Sequence, residues 1–152
     1  MKKVLFVCLG NICRSPSGEG VFLAKLNERG LADKYKVDSA GTGAWHVGEL
    51  ADSRMRKHAS QRGYDLVSRA RQVREEDFDE FDMIIAMDGS NYRNLQNLCP
   101  DGAAELRMMT DFCSEYDDQE VPDPYYGGEE GFEHVLDLLE DACDGLLDYL
   151  EK

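Results

Sequence analysis

The chain opens with Lys2-Lys3 and an unbroken apolar run to Cys8, and after Ser15-Pro16 its apolar spacing becomes helical as far as Arg29. That change of period predicts strand, tight loop, helix. Ser15 suits the N-cap and Pro16 the first helical position, Glu19 favours the first turns, and Gly30 stands where the helix would end. Gly18 and Gly20 each weaken such a helix by about 1 kcal/mol relative to alanine. Tyr35 to Ala40 reads as a second strand before the loop Gly41-Thr42-Gly43, and Asp52 to Arg62 as a helix closed by Gly63. The acidic segment Glu75 to Asp82 predicts a short helix or turn. Met83 to Met87 predicts a buried strand, Ser90 to Leu98 a helix stopped by Pro100, and Glu105 to Met109 a further strand. Asp111 to Gly128, dense in acids, proline and glycine, reads mostly as loop. Phe132, Val135, Leu136, Leu139, Cys143, Leu146, Leu147 and Leu150 then fall on one face of an amphipathic helix whose outer face is acidic. Strands alternating with helices imply an α/β protein, a parallel sheet covered on both faces.

Composition narrows the setting. At 152 residues the expectation is one domain with a core that needs neither disulfides nor a structural metal. No stretch approaches the ~20 apolar residues of a membrane span, and Val4 to Val7 is too short for a signal peptide, so a cytoplasmic protein is expected. Five cysteines, an odd number, argue against a disulfide scaffold. The net charge of -14 is uneven: residues 1–100 carry +1 and residues 101–152 carry -15. Such a field disfavours nucleic acid and anionic membranes as partners, so a phosphate ligand would need strong local capture.

That capture is written in Cys8-Leu9-Gly10-Asn11-Ile12-Cys13-Arg14-Ser15, the loop between the first strand and the first helix. Ligands of open α/β sheets bind at the carboxyl ends of strands. There successive backbone N–H groups can encircle an anion while the helix N-terminus adds partial positive charge. The same surroundings favour the thiolate of Cys8, the form that is nucleophilic. Arg14 offers a planar fork for two phosphate oxygens. Asn11 and Ser15 are suited to fixing the loop and donating to the sulfur. A cysteine or arginine standing alone would be read as core or as solvated surface; the spacing Cys-x5-Arg-Ser between strand and helix is what makes the signal specific.

The chain resembles the low-molecular-weight protein tyrosine phosphatase family. The match is carried by Val7-Cys8-Leu9-Gly10-Asn11-Ile12-Cys13-Arg14-Ser15-Pro16, by Met87-Asp88-Gly89-Ser90-Asn91 and by Asp123-Pro124-Tyr125-Tyr126-Gly127, in that order along the whole chain. The resemblance implies a three-layer α/β/α fold with a four-stranded parallel sheet. It also implies Cys8 as nucleophile forming a phosphocysteine, Arg14 as clamp, Asp123 as general acid, and no metal or organic cofactor. Taken alone, Asp123 is an ordinary turn residue before proline. By resemblance Trp45 and Tyr125, with Tyr126 beside them, wall the substrate pocket, though core packing would also explain them. Phosphotyrosine proteins are the implied substrates, and a cognate tyrosine kinase the implied partner.

Further residues refine the picture. Relatives acting on phosphoarginine resemble this loop but carry threonine where this chain has Ile12, so isoleucine points to phosphotyrosine. Ser39 resembles the family serine that hydrogen-bonds the loop asparagine, here Asn11; a solvated strand-end serine is the alternative. Cys13 lies five residues after Cys8, which lets the sulfurs approach in a curled loop, and in the family this pair closes reversibly under oxidation. Asp88 is read either as support for Arg14 or as the cap of the helix from Ser90, and Cys99, Cys113 and Cys143 as structural. Gly18 replaces the family's common alanine, and Ser68 a histidine that braces the loop in many relatives. Arg54, Arg56, Lys57, Arg62, Arg69, Arg71 and Arg74 could guide an acidic phosphoprotein or be a solvated face. Two other activities fit the loop: a thiol-dependent arsenate reductase, for which only Cys99 and Cys113 could resolve a disulfide, and a protein arginine phosphatase. A catalytically silent phosphotyrosine-binding module is disfavoured by the joint presence of Cys8, Arg14 and Asp123.

Overall fold

A computed structural model describes residues 1–152. Its strands are β1 (Lys2–Cys8), β2 (Tyr35–Gly41), β3 (Met83–Ala86) and β4 (Glu105–Met108), and its helices α1 (Arg14–Glu28), α2 (Ser53–Gln61), α3 (Asp77–Glu80), α4 (Gly89–Leu98) and α5 (Glu129–Leu150). The four strands form one parallel sheet in the order β2-β1-β3-β4. β1 pairs on one side with β2, Cys8 opposite Gly41, and on the other with β3, Val7 opposite Ala86.

Period-two alternation in β1 supplies two cores. Val4 and Phe6 face Val21, Phe22 and Leu26 of α1 and the apolar stripe of α5, while Leu5 and Val7 face Phe78, Ile84 and Leu95 on the other side. The result is the three-layer α/β/α arrangement expected. No helix is long and apolar enough to cross a membrane.

Helix ends follow the expected chemistry with informative exceptions. Gly30 and Gly63 adopt φ of +69° and +89° directly after α1 and α2, a backbone that side chains resist. Asp52 caps α2 by accepting from the amides of Arg54 and Met55. Ser15, however, is not an N-cap: α1 starts at Arg14, after Cys13, because the Ser15 hydroxyl is turned to the Cys8 sulfur instead. Glu19 likewise turns inward to Ser39 and Ser68 rather than serving the helix dipole. α4 starts one residue earlier than expected, capped by Asp88, whose carboxylate accepts from Asn91 N–H. The two α1 glycines are packing devices: a Cβ at Gly18 would lie 3.0 Å from Met87 Cε, and one at Gly20 would lie 2.5 Å from Leu66 Cδ2. Close approach of α1 to the sheet at Gly18, and to the segment after α2 at Gly20, offsets their low helix propensity.

Candidate active site

Cys8 ends β1, and the residues after it fold back so that their carbonyls are consumed by donors around the loop. Cys8 C=O accepts from Thr42 N–H, Leu9 C=O from Gly43 N–H, Ile12 C=O from Asp52 N–H and Cys13 C=O from Ser17 N–H. The N–H groups of residues 10–15 donate to no backbone carbonyl. A loop with four of its carbonyls engaged outward and its N–H donors free, running into a helix N-terminus, is an anion cradle. At position 10 a Cβ would come within 3.1 Å of His46 Cδ2, so glycine lets the loop pass that ring.

Asn11 holds the turn. It is the one non-glycine residue with positive φ, +58°, and its buried amide is bonded at both ends. Nδ2 donates to Ser15 Oγ (2.7 Å) and Ser39 Oγ (3.0 Å), and Oδ1 accepts from Arg71 N–H (3.0 Å). Ser39 Oγ in turn donates to Glu19 Oε1 at 2.7 Å, where Ser68 also donates at 3.1 Å. Because Ser15 Oγ already accepts from Asn11, its O–H is free to serve Cys8 Sγ, 3.0 Å away, with Ala40 C=O at 3.3 Å the competing acceptor. Donor direction thus runs from the brace toward the sulfur. Burial raises the Glu19 pKa, opposed by the bonds from Ser39 and Ser68. Ser68 supplies the outer end of this brace.

Arg14 opens α1 almost fully buried. Its Nη1 donates to Asp88 Oδ2 (2.6 Å) and to Val121 C=O (3.1 Å), and its Nη2 lies 3.7 Å from Asp123 Oδ2. Burial works against its charge, but Cys8, Asp88 and Asp123 outweigh that and raise its pKa. Both readings of Asp88 hold at once, since its other oxygen caps α4. Burial, reinforced by Asp52, Cys8 and Asp123, drives the pKa of the Cys13 thiol upward.

These groups meet in one cavity of about 330 Å³, with Cys8, Ile12, Cys13 and Arg14 among its lining and Trp45, His46, Asp123, Tyr125 and Tyr126 around them. Leu9 and Gly10 also line it, whereas Asn11, Ser15 and Ser39 sit behind the loop. Trp45 and Tyr126 are largely exposed, which rules out core packing, and the Tyr125 and Tyr126 rings meet edge to face at 4.9 Å. Cys99 and Cys113 do not reach the cavity; Cys113 faces Leu138 C=O, its pKa pushed up to about 12 by burial and Asp141. Three contributors were not anticipated from the sequence. His46, next to Trp45, lines the cavity; Glu19 is the hub of the brace; Arg71 holds Asn11 through its backbone N–H.

An α/β sheet whose first strand delivers a cysteine into such a cradle is the framework of a cysteine-dependent phosphatase. The chain belongs to the low molecular weight phosphotyrosine protein phosphatase family, whose family model matches residues 3–152. A low molecular weight protein-tyrosine-phosphatase of Streptomyces coelicolor is 44% identical over 149 residues, covering 95% of this chain and 91% of that one. A crystal structure of a protein tyrosine phosphatase from Entamoeba histolytica, with Hepes in its active site, superposes with TM-score 0.97 at 51% identity, covering 99% and 97% of the two chains. The Drosophila arginine phosphatase shares the fold at 32% identity, with TM-score 0.92 over 100% and 99% of the chains. The protein is a protein-tyrosine phosphatase, and neither the arsenate reductase nor the arginine phosphatase reading is favoured.

Proposed function

We propose that this single phosphatase domain, residues 1–152, hydrolyses phosphotyrosine through a phosphocysteine on Cys8. The observation that carries the reading is the set of free loop amides beside the Cys8 sulfur and the Arg14 guanidinium. Nη1 of Arg14 is occupied by Asp88 and Val121, which leaves Nε and Nη2 for two phosphate oxygens. The Cys8 thiolate attacks phosphorus in line, the P–O bond to the tyrosyl oxygen breaks, and Asp123, protonated, gives its proton to that oxygen. The resulting Asp123 carboxylate then takes a proton from water as the water displaces Cys8 from phosphorus, releasing inorganic phosphate. Ser15 O–H at the sulfur stabilises the departing thiolate. The donors already in place stabilise charge as it develops on the phosphoryl oxygens.

Trp45, Tyr125 and Tyr126 around the cavity suit a flat phenyl ring, and Ile12 gives the floor an apolar methyl surface where a hydroxyl would serve a guanidinium. The substrates are phosphotyrosine proteins, which require a tyrosine kinase to form them. Five free thiols suit a reducing cytosol. Cys13, on the same cavity as Cys8, is the redox partner: peroxide oxidises the Cys8 thiolate to a sulfenic acid, and the Cys13 thiol displaces water from it to form a disulfide.

Hydrolysis of phosphotyrosine peptide by wild type, Cys8→Ser and Asp123→Ala tests the reading, with phosphoarginine run beside it. Activity in wild type only, or nearly so, and on phosphotyrosine in preference to phosphoarginine supports it; an active Cys8→Ser variant defeats it. For the redox step, thiol treatment after peroxide should restore wild type and fail to restore Cys13→Ser.

A further inference from the structure

Seven basic residues crowd the region from Arg54 to Arg74, and the structure separates those already neutralised from those that are not. Arg62 is bound to Glu133, Asp137 and Glu140, Arg71 to Asp38 and Asp77, and Arg54 to Asp52. Arg56, Lys57, Arg69 and Arg74 have no carboxylate partner within salt-bridge distance. Arg74 belongs to a separate hollow among Asp38, Asp77 and Glu80. Arg56 and Arg69 instead line a groove of about 450 Å³ that shares Ile12, His46 and Tyr125 with the phosphate cavity and so opens directly from it.

We propose that this groove receives an acidic side chain of the phosphotyrosine substrate through Arg56 and Arg69, making them determinants of peptide specificity. The inference rests on the phosphatase reading above. Both guanidinium groups are pre-oriented by one backbone contact each: Arg56 Nε donates to Ala51 C=O (2.9 Å) and Arg69 Nη1 to Gly48 C=O (2.9 Å). The remaining N–H groups are left for a ligand carboxylate, and holding the fork in place lowers the ordering cost of binding. Two acids also line the groove, but both are engaged: Asp52 by Arg54 and the α2 amides, Glu49 by His46. The protein as a whole, at -14, repels an acidic peptide at long range. Unpaired arginines at the mouth of the cavity give such a peptide a local point of purchase that the distant acidic face does not cancel, because screening confines that repulsion.

The test uses phosphotyrosine peptides of one length with alanine at every flanking position, and series with a single glutamate or lysine moved through those positions. At one or more positions glutamate is expected to raise kcat/KM about 2- to 10-fold over alanine, through KM, with lysine lowering it. The gain should shrink in high salt. Arg56→Ala/Arg69→Ala should lose it while hydrolysing a small aryl phosphate at the wild-type rate, and Arg56→Glu/Arg69→Glu should shift the preference to lysine. No glutamate preference in wild type, or a preference that survives the double variants, overturns the assignment. If wild type hydrolyses neither the aryl phosphate nor the all-alanine peptide, the phosphatase reading fails; if it hydrolyses both without discrimination, only the groove assignment fails.

Discussion

The carboxylate of Asp88 serves two elements at once: Oδ2 lies 2.6 Å from Nη1 of Arg14, and Oδ1 lies 2.8 Å from the amide nitrogen of Asn91 at the start of α4. The anion clamp and the β3–α4 turn are therefore fixed to each other across 74 residues of sequence.

Removing both contacts should be costly. Asp88→Ala leaves a buried guanidinium with Val121 C=O and only the more distant carboxylate of Asp123, and strips the α4 cap, so a stability loss of about 2–4 kcal/mol is expected. Asp88→Asn can keep the cap while losing the charge, and should fall between the two. Because Arg14 shifts, kcat should drop about 10- to 100-fold in the alanine variant. Denaturant unfolding and steady-state kinetics on the same preparations check both numbers.

Asn11 provides a second separable case. Its positive φ is a strain of about 1–3 kcal/mol that three side-chain hydrogen bonds overcome. Asn11→Gly should tolerate the backbone and Asn11→Ala should not, so glycine should be the more stable by about 1 kcal/mol. Both lose the bond that orients Ser15 toward Cys8, and both should lose kcat about 10- to 100-fold. A glycine variant with wild-type kcat would show that the side chain does not position the loop.

These cases also mark what the sequence could disclose. The strand, loop and helix around Cys8 were legible because period and punctuation are local, and Cys8 with Arg14 followed from loop chemistry. Asp123 was not, since Asp-Pro-Tyr-Tyr is turn chemistry until the fold sets it 3.7 Å from an arginine 109 positions earlier; only family resemblance singled it out. Ser15 reads as a cap because a serine before proline at a helix start is ordinarily one, whereas in the fold the first-turn amides are left for a ligand and the hydroxyl turns to sulfur. Glu19 reads as a charge that favours the first turns of α1 and is instead the hub of a partly buried brace. Arg71 acts on Asn11 through its main chain, for which no side-chain code exists.

Glu19 makes the stability of the fold depend on pH in a defined direction. Burial raises its pKa in the native state, whereas the unfolded chain titrates near the ordinary value of about 4.3. Above that value the unfolded state binds fewer protons than the native state, so stability falls as pH rises through the raised native pKa. Glu19→Gln keeps an acceptor for Ser39 and Ser68 without ionising. Its stability relative to wild type should therefore improve from about pH 4 toward neutrality, with kcat within about threefold, whereas Glu19→Ala should lose activity. Parallel stability curves for wild type and Glu19→Gln would contradict this account.

The central claim, that phosphate passes through Cys8, is tested most directly by rapid acid quenching of the enzyme during turnover of a phosphotyrosine peptide, followed by mass spectrometry of the fragment carrying Cys8. The account predicts one phosphoryl group on Cys8 in wild type, none in Cys8→Ser, and slower turnover by about 10²–10⁴-fold in Asp123→Ala. Full hydrolysis with no phosphoryl group on Cys8, or by a Cys8→Ser variant, would contradict it.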